Sequence, residues 1–205
     1  MDKYQNIQYY TSIVLKILIG ALVLVSAIRQ DIFLVFTSLL VLLLTFIPVI
    51  ITRNFKIRIP IEVDLTITVI LYLHYVLGEY SHFYAKFWWW DLFLHGGNSI
   101  ILGMVGFILA YSLLITSRIE AKPFLISLFS LAFAVLVGVI WEIFEFGMDY
   151  FFGFTMQKSG LIDTMTDLMM DLGGATIVSL FGFFYIKKPE HGLFDKVVKT
   201  FVRSR

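Results

Sequence analysis

The chain contains no cysteine, which excludes disulfides, thiolate metal ligands and a cysteine nucleophile. Charge is scarce as well: Asp, Glu, Lys and Arg make up 15%, against about 25% in soluble domains. Sixteen Lys and Arg stand against fifteen Asp and Glu, a net charge of +1, so the basic excess that nucleic-acid binding needs is missing. The sequence also has no Gly-rich phosphate loop, no G-x-S-x-G elbow and no H-E-x-x-H. Ser81 and His82 are adjacent, and adjacency gives no triad geometry. What the chain does have is apolar bulk. Of its 205 residues, 59% are hydrophobic, and the mean hydropathy is +0.87. That is the composition of an integral membrane protein with room for one domain.

A bilayer core of about 30 Å needs about 20 mostly apolar residues per helix. Six runs approach that length: 12–28, 32–52, 61–77, 91–115, 124–146 and 163–186. Together they predict an all-α polytopic protein of six transmembrane helices. Pro60 and Pro123 precede the third and fifth runs, where a missing N–H costs nothing. Glu62 and Asp64 fall in the first turn of the third run, at its positive dipole end. The first run, with Lys3 before it and Val25-Ser26-Ala27 near its end, has features of a signal peptide. Lys16 interrupts it and a second run restarts at once, so it reads as an uncleaved first helix.

Lys and Arg in short loops mark the cytoplasmic side. With both termini inside, the cytoplasm receives Lys3, Arg53, Lys56, Arg58, Arg118, Lys122, Lys187, Lys188, Lys196, Lys199, Arg203 and Arg205. The outside receives only Arg29, Lys86 and Lys158, and Lys16 is left to snorkel. The expected location is multi-pass in the plasma (inner) membrane of a bacterium or archaeon. Residues 1–186 form the bundle, and 187–205 a basic tail. In that tail Leu193, Phe194, Val197, Val198, Phe201 and Val202 recur at helical spacing opposite Lys196, Lys199, Arg203 and Arg205. Such a helix is expected on anionic lipid at the inner leaflet, with a soluble partner groove as the alternative.

In this orientation the acids gather outside. The fifth helix ends in Glu142, Glu145 and Asp149, which share an arc of about 60°. The sixth begins with Asp163, Asp167 and Asp171, spread over about 80°. Ser130, Ala134 and Gly138 continue the first stripe inward, and Gly174 falls inside the second arc. Stripes of small residues let transmembrane helices approach closely, so the acidic faces are expected inside the bundle. On the fourth helix Asp91, His95 and Asn98 follow at i, i+4, i+7. The stretch from Asp91 to Gly97 is similar to that from Asp167 to Gly174, which puts His95 and Asp171 in equivalent places. Either a duplicated hairpin or chance explains the similarity.

Plainer roles exist for several of these residues. Asp163 and Asp91 are placed to cap helices, and Asp149 to lie in water. His74 reads as a hydrogen-bonded core residue, and Glu79 and His82 as loop residues. Trp88, Trp89 and Trp90, with Tyr80 and Tyr84, read as an interfacial aromatic belt. No such account covers Glu142, Glu145, Asp167 and Asp171, and Asp171 lies about 12 Å deeper than Asp163 at the helical rise. Ionisable groups at that depth default to function. Carboxylates so close cannot all stay charged without cations or shared protons. The expected site is therefore a divalent-metal site of Glu142, Glu145, Asp167 and Asp171, completed by His95, which is also the candidate general base. Asp91, Asn98, Asp149 and Asp163 form its second tier. Oxygen ligands suit Mg²⁺, Ca²⁺ or Mn²⁺, and one imidazole shifts the balance toward Mn²⁺, Zn²⁺ or Fe²⁺.

The residues from Trp141 to Phe146, and from Asp163 to Asp171 followed by Gly174-Ala175, resemble the YjdF-type family of small polytopic membrane proteins of bacteria and archaea. Asp167-x-x-x-Asp171-x-x-Gly174 is also similar to the D-x-x-x-N-x-x-G pattern of VanZ-like proteins, associated with glycopeptide tolerance, with Asp171 where that pattern has Asn. These resemblances imply a membrane bundle whose acids act together, and they supply no reaction. Three functions fit. One is a metal-dependent enzyme on a lipid or lipid-linked cell-wall intermediate at the outer leaflet. Another is a non-catalytic protein whose acids hold a structural ion or dock a partner. The third, an ion-coupled transporter, needs a polar path, and residues 124–137 offer only Ser127 and Ser130.

Overall fold

A computed structural model describes residues 3–55, 59–117, 122–188, 195, 198 and 199. Among them the secondary structure is entirely helical, with no strand. The chain divides into two compact units, residues 1–87 and 88–205.

The first unit opens with α1 (Lys3–Ile28). Asp31 then caps α2 (Ile32–Leu44), its Oδ1 accepting from Leu34 N at 2.9 Å. The second apolar run, expected as one straight helix, is broken. The chain bends by 44° between α2 and α3 (Ile47–Phe55). Pro48 is the reason: it has no N–H, and its ring crowds the carbonyl four residues back. Thr45 closes the end of α2 by donating its hydroxyl to Leu42 O at 2.6 Å. Pro60 is the N-cap of α4 (Ile61–Leu71), which widens into a π-helical segment over Tyr72–Tyr80 before the short α5 (Phe83–Lys86). As expected for a core residue, His74 is hydrogen-bonded: its Nδ1 lies 2.6 Å from Tyr84 Oη.

Lys16 does not snorkel. Its Nζ sits 2.7 and 2.9 Å from the two carboxylate oxygens of Asp64, across the α1–α4 contact. Both side chains are largely buried. Ser12 Oγ donates to Asp64 Oδ2 at 2.5 Å, and Thr68 Oγ1 donates to Asp64 O at 2.8 Å. Asp64 does stand in the first turn of α4, but its partner is an ammonium on another helix. An ion pair in apolar surroundings persists because each charge, once buried, needs the other.

The second unit is three long helices: α6 (Trp90–Ser117), α7 (Pro123–Phe152) and α8 (Leu161–Lys187). Pro123 opens α7, and Gly153, at φ 70°, ends it in the left-handed conformation that glycine adopts freely. Each pair of the three packs together, and small residues set the spacing. A Cβ on Gly174 of α8 would lie 2.5 Å from Gly96 O of α6. One on Gly138 of α7 would land on the Asp171 carboxylate. Serine hydroxyls bridge the same contacts. Ser130 Oγ donates to Gly103 O at 2.6 Å, and Ser179 Oγ to Ser127 O at 2.7 Å. These two hydroxyls thus find acceptors on neighbouring helices, whereas Ser127 Oγ is buried without a hydrogen-bond partner among the described residues.

Helices α1, α6, α7, α8 and α4 with its π segment are each long and apolar enough to cross a membrane, and α2–α3 taken as one bent span makes a sixth. Of the tail, Val198 is buried against Phe107 and Ile126. Asp195 accepts from Tyr185 Oη at 2.9 Å and from Lys199 Nζ at 2.6 Å. Val198 therefore meets protein rather than lipid. Leu193, Phe194, Lys196, Val197, Phe201, Val202, Arg203 and Arg205 lie outside the described residues.

Candidate metal centre

The start of α6, the last turns of α7 and the start of α8 meet at one end of the second unit. The periodicity of α7 accounts for its contribution. Ser130, Ala134, Gly138 and Glu142 follow at i+4 and are all buried, so Glu142 ends a stripe turned into the bundle. On α8, Asp167, Asp171, Gly174, Ala175 and Val178 form the equivalent buried face. On α6, His95 and Ser99 are buried one turn apart. Three helices thus bring His95, Glu142, Asp167 and Asp171 together, at 6%, 4%, 2% and 4% exposure.

His95 is the centre of the group. Its Nδ1 faces Asp171 Oδ2 at 3.4 Å. Its Nε2 points the other way, 3.9 Å from Glu142 Oε1 and 3.9 Å from Asp91 Oδ1. One ring nitrogen therefore has an acidic hydrogen-bond partner, while the other faces several carboxylates. His95, Glu142 and Asp167 each offer a ligand atom, and these atoms lie within 4.8 Å of one another. Asp91, Asp163 and Asp167 meet the same condition. Glu142 Oε1 is buried and has no hydrogen-bond partner among the described residues. A carboxylate oxygen so placed normally has a donor or a cation beside it.

The remaining expected residues separate by role. Asp171 is deep and faces Nδ1, and its backbone carbonyl accepts from Ser99 Oγ at 2.6 Å. It faces His95 Nδ1 at 3.4 Å and falls in neither of the two candidate ligand sets. Glu145 belongs to neither set. It is half-buried, and its Oε1 accepts from Trp141 Nε1 at 2.9 Å. Asp149, half-buried, has partners: it holds the α7–α8 loop, accepting from Met156 N at 2.7 Å and Gln157 N at 2.8 Å. Asn98 is half-buried on α6, one turn beyond Leu94 and His95. Gly160, not Asp163, is the N-cap of α8. Asp163 Oδ2 accepts from Lys158 N at 3.1 Å, while Lys158 Nζ donates to Asp91 Oδ2 at 3.0 Å.

Ser99 was not singled out by sequence reasoning. Its i+4 relation to His95 was the available signal. The two similar stretches do meet: His95 lies against Asp171, and Gly96 against Gly174.

A carboxylate on the far nitrogen of a ligating histidine fixes its tautomer and ring orientation, and removing it typically costs about 10–100-fold in metal affinity. For a cation held by His95, Asp171→Asn should therefore weaken binding by about that factor, with Mn²⁺ as the probe. Calorimetric titration of the detergent-solubilised protein measures it. An unchanged affinity would mean that Asp171 does not orient a ligand.

A helical bundle of membrane-length spans, with a buried His and carboxylate group at one end of three of them, defines a multi-pass membrane protein. The chain belongs to the family described as "Predicted membrane protein (DUF2238)", which it matches over residues 11–188. It is also 32% identical over 117 residues to a Thermotoga maritima protein described as "Uncharacterized protein". That match covers 57% of this chain and 59% of the other. No solved structure matches the chain.

Proposed function

We propose that this protein is a membrane metalloprotein in which His95, Glu142 and Asp167 bind a divalent cation near the outer surface of the plasma membrane. The ion would serve hydrolysis or group transfer on a lipid or lipid-linked cell-wall intermediate. The observation that carries the reading is Glu142 Oε1, a buried carboxylate oxygen without a hydrogen-bond partner among the described residues, beside His95 and Asp167. Three protein ligands leave coordination positions open, as catalytic rather than structural sites do. One imidazole with two carboxylates favours Mn²⁺ or Zn²⁺ over Ca²⁺. An open ion can polarise a phosphoryl or carbonyl oxygen or activate water.

The outer placement rests on charge. Among the described residues of the second unit Lys158 is the one Lys or Arg on the side of the acids, whereas Lys122, Lys187 and Lys188 stand at the opposite helix ends. A reporter fused after Arg205 should be active only in its cytoplasmic form. Activity of a periplasm-only reporter would reverse the orientation.

Metal binding is tested by stability. An ion that binds only the folded chain adds about 2.7 kcal/mol at a free concentration of about 100 times Kd. Chelator-treated protein should therefore gain in Tm with Mn²⁺ or Zn²⁺, and Asp167→Asn should not. Equal responses in both proteins would refute the site.

A further inference from the structure

At the end of the second unit away from the acids, residues of the C-terminal segment pack onto the helices. Val198 is 1% exposed and meets Phe107 of α6 and Ile126 of α7, themselves 0% and 3% exposed. We infer that this segment is the closure of that end of the bundle, seated on α6, α7 and α8 by Val198 and Asp195. The inference concerns access to the bundle and does not rest on metal at the acidic end.

The helices are shaped to receive the segment. On α6, His95, Ser99, Gly103 and Phe107 follow at i+4, so Phe107 lies about 18 Å beyond His95 at the helical rise. The Phe107 ring stacks on that of Tyr111, with centroids 5.5 Å apart. Tyr185 of α8 meets both rings edge-on, at 6.3 and 6.0 Å. Gly182 makes room for Phe107, since a Cβ there would lie 2.5 Å from the ring. Three rings thus fill the space between α6 and α8, Ile126 joins them from α7, and Val198 adds the last apolar layer.

The polar anchor decides what the segment is docked on. Asp195 stands one turn before Val198 and Lys199, and it is 6% exposed. Tyr185 Oη donates to its Oδ1 at 2.9 Å, and Lys199 Nζ to its Oδ2 at 2.6 Å. An amphipathic helix lying on lipid keeps its charged face in water. A buried carboxylate instead needs donors on its oxygens, and α8 supplies one through Tyr185. The same tyrosine ring belongs to the aromatic layer, so the seat for Asp195 and the layer under Val198 form together.

Behind this layer the bundle is tightly filled. Ser127, next to Ile126, is 4% exposed, and Ser130 and Ala134 beyond it are 0% exposed. A sealed far end leaves the acidic group to be approached from its own side, which fits a one-sided centre and not a conducting path.

The chain has no cysteine, so single-cysteine reporters in the full chain give the test, read as maleimide labelling rates in lipid nanodiscs. Ser127→Cys reports on the closed end; Ser127 Oγ has no hydrogen-bond partner among the described residues, so no such bond is lost. Ser99→Cys, at a residue 1% exposed and one turn from His95, reports on the acidic end. Ser127→Cys should label slowly in the otherwise native chain. Adding Tyr185→Phe, which keeps the ring and removes the hydroxyl, should speed labelling by about 10–100-fold, the local opening that follows loss of a hydrogen bond to a charged group. Adding Val198→Asp instead should also speed it, by setting a carboxylate against Phe107 and Ile126. Ser99→Cys should keep its slow rate with either change, and Ser127→Cys should label equally in neutral and anionic nanodiscs. Fast labelling of Ser127→Cys in the otherwise native chain overturns the closure, and so does an unchanged rate with Tyr185→Phe. Equal acceleration at Ser99→Cys would mean that the whole unit opens, and would refute a local closure. Faster labelling of Ser127→Cys in anionic nanodiscs would place the segment on lipid and overturn the inference.

Discussion

Asp64→Asn, with Lys16 left in place, should destabilise the protein by about 3–5 kcal/mol, the loss found when one partner of a buried ion pair is removed. The geometry makes this severe. Lys16 Nζ has both Asp64 oxygens within 2.9 Å, and its side chain is only 12% exposed. The variant therefore strands an ammonium among apolar side chains. Lys16→Met should cost a comparable amount, because it strands the carboxylate, with Ser12 Oγ as its remaining side-chain donor. The double variant Lys16→Met/Asp64→Leu should recover most of the loss, since apolar replacements of such pairs are often neutral or stabilising. Thermal unfolding in detergent measures all three. Additive losses in the double variant would show that the two residues do not act as a pair.

A second large effect is expected where α6 and α8 cross. Gly174→Val adds three carbons at a point where a single Cβ would already lie 2.5 Å from Gly96 O and 3.1 Å from Ser99 Cβ. The obstacle is backbone, so the helices themselves must part. Overpacking of this kind costs about 1–3 kcal/mol. It should also move His95 away from Asp167 and Asp171, lowering metal affinity by at least the roughly 10–100-fold that follows loss of an orienting contact. Gly97→Ala serves as the control, because a Cβ there meets nothing within 4 Å. Equal metal affinity in Gly174→Val and wild type would mean that the close crossing does not hold the centre together.

Much of this is written in local sequence. Six apolar runs give the spans because a bilayer fixes their length. Gly138, Gly174 and the acids at i+4 steps give the buried faces of α7 and α8 because the helical period does. The Pro48 break was legible too, yet a run of hydrophobic residues hides it unless the proline is weighed against its carbonyl four residues back. Pairing across helices is another matter. Asp64 in isolation is a residue of a first turn. Only the packing of α1 on α4 gives it Lys16, 48 residues away, and Ser12, 52 residues away. The signal was faint but present: Ser12 and Lys16, like Asp64 and Thr68, are polar residues one turn apart in apolar runs.

The roles of neighbouring acids were equally out of reach. Glu142 and Glu145 share an arc, but one continues the buried stripe while the other reaches Trp141 Nε1. Asp149 lies on the same arc and is drawn instead to two backbone N–H groups of the loop. Asp167 and Asp171 stand one turn apart, and that one turn places Asp171 against Nδ1 of His95 and Asp167 in the ligand sets. An arc on a helical wheel has a resolution of tens of degrees, and a metal site is decided by which oxygen faces which nitrogen.

The account stands on a cation at His95, Glu142 and Asp167, and anomalous diffraction from crystals grown with Mn²⁺ or Zn²⁺ addresses it most directly. The account predicts an anomalous peak among His95 Nε2, Glu142 Oε1 and an Asp167 oxygen, with ligand distances of about 2.0–2.2 Å. A clear map of the same residues with no peak there at saturating metal, or with the peak confined to other groups, would contradict it.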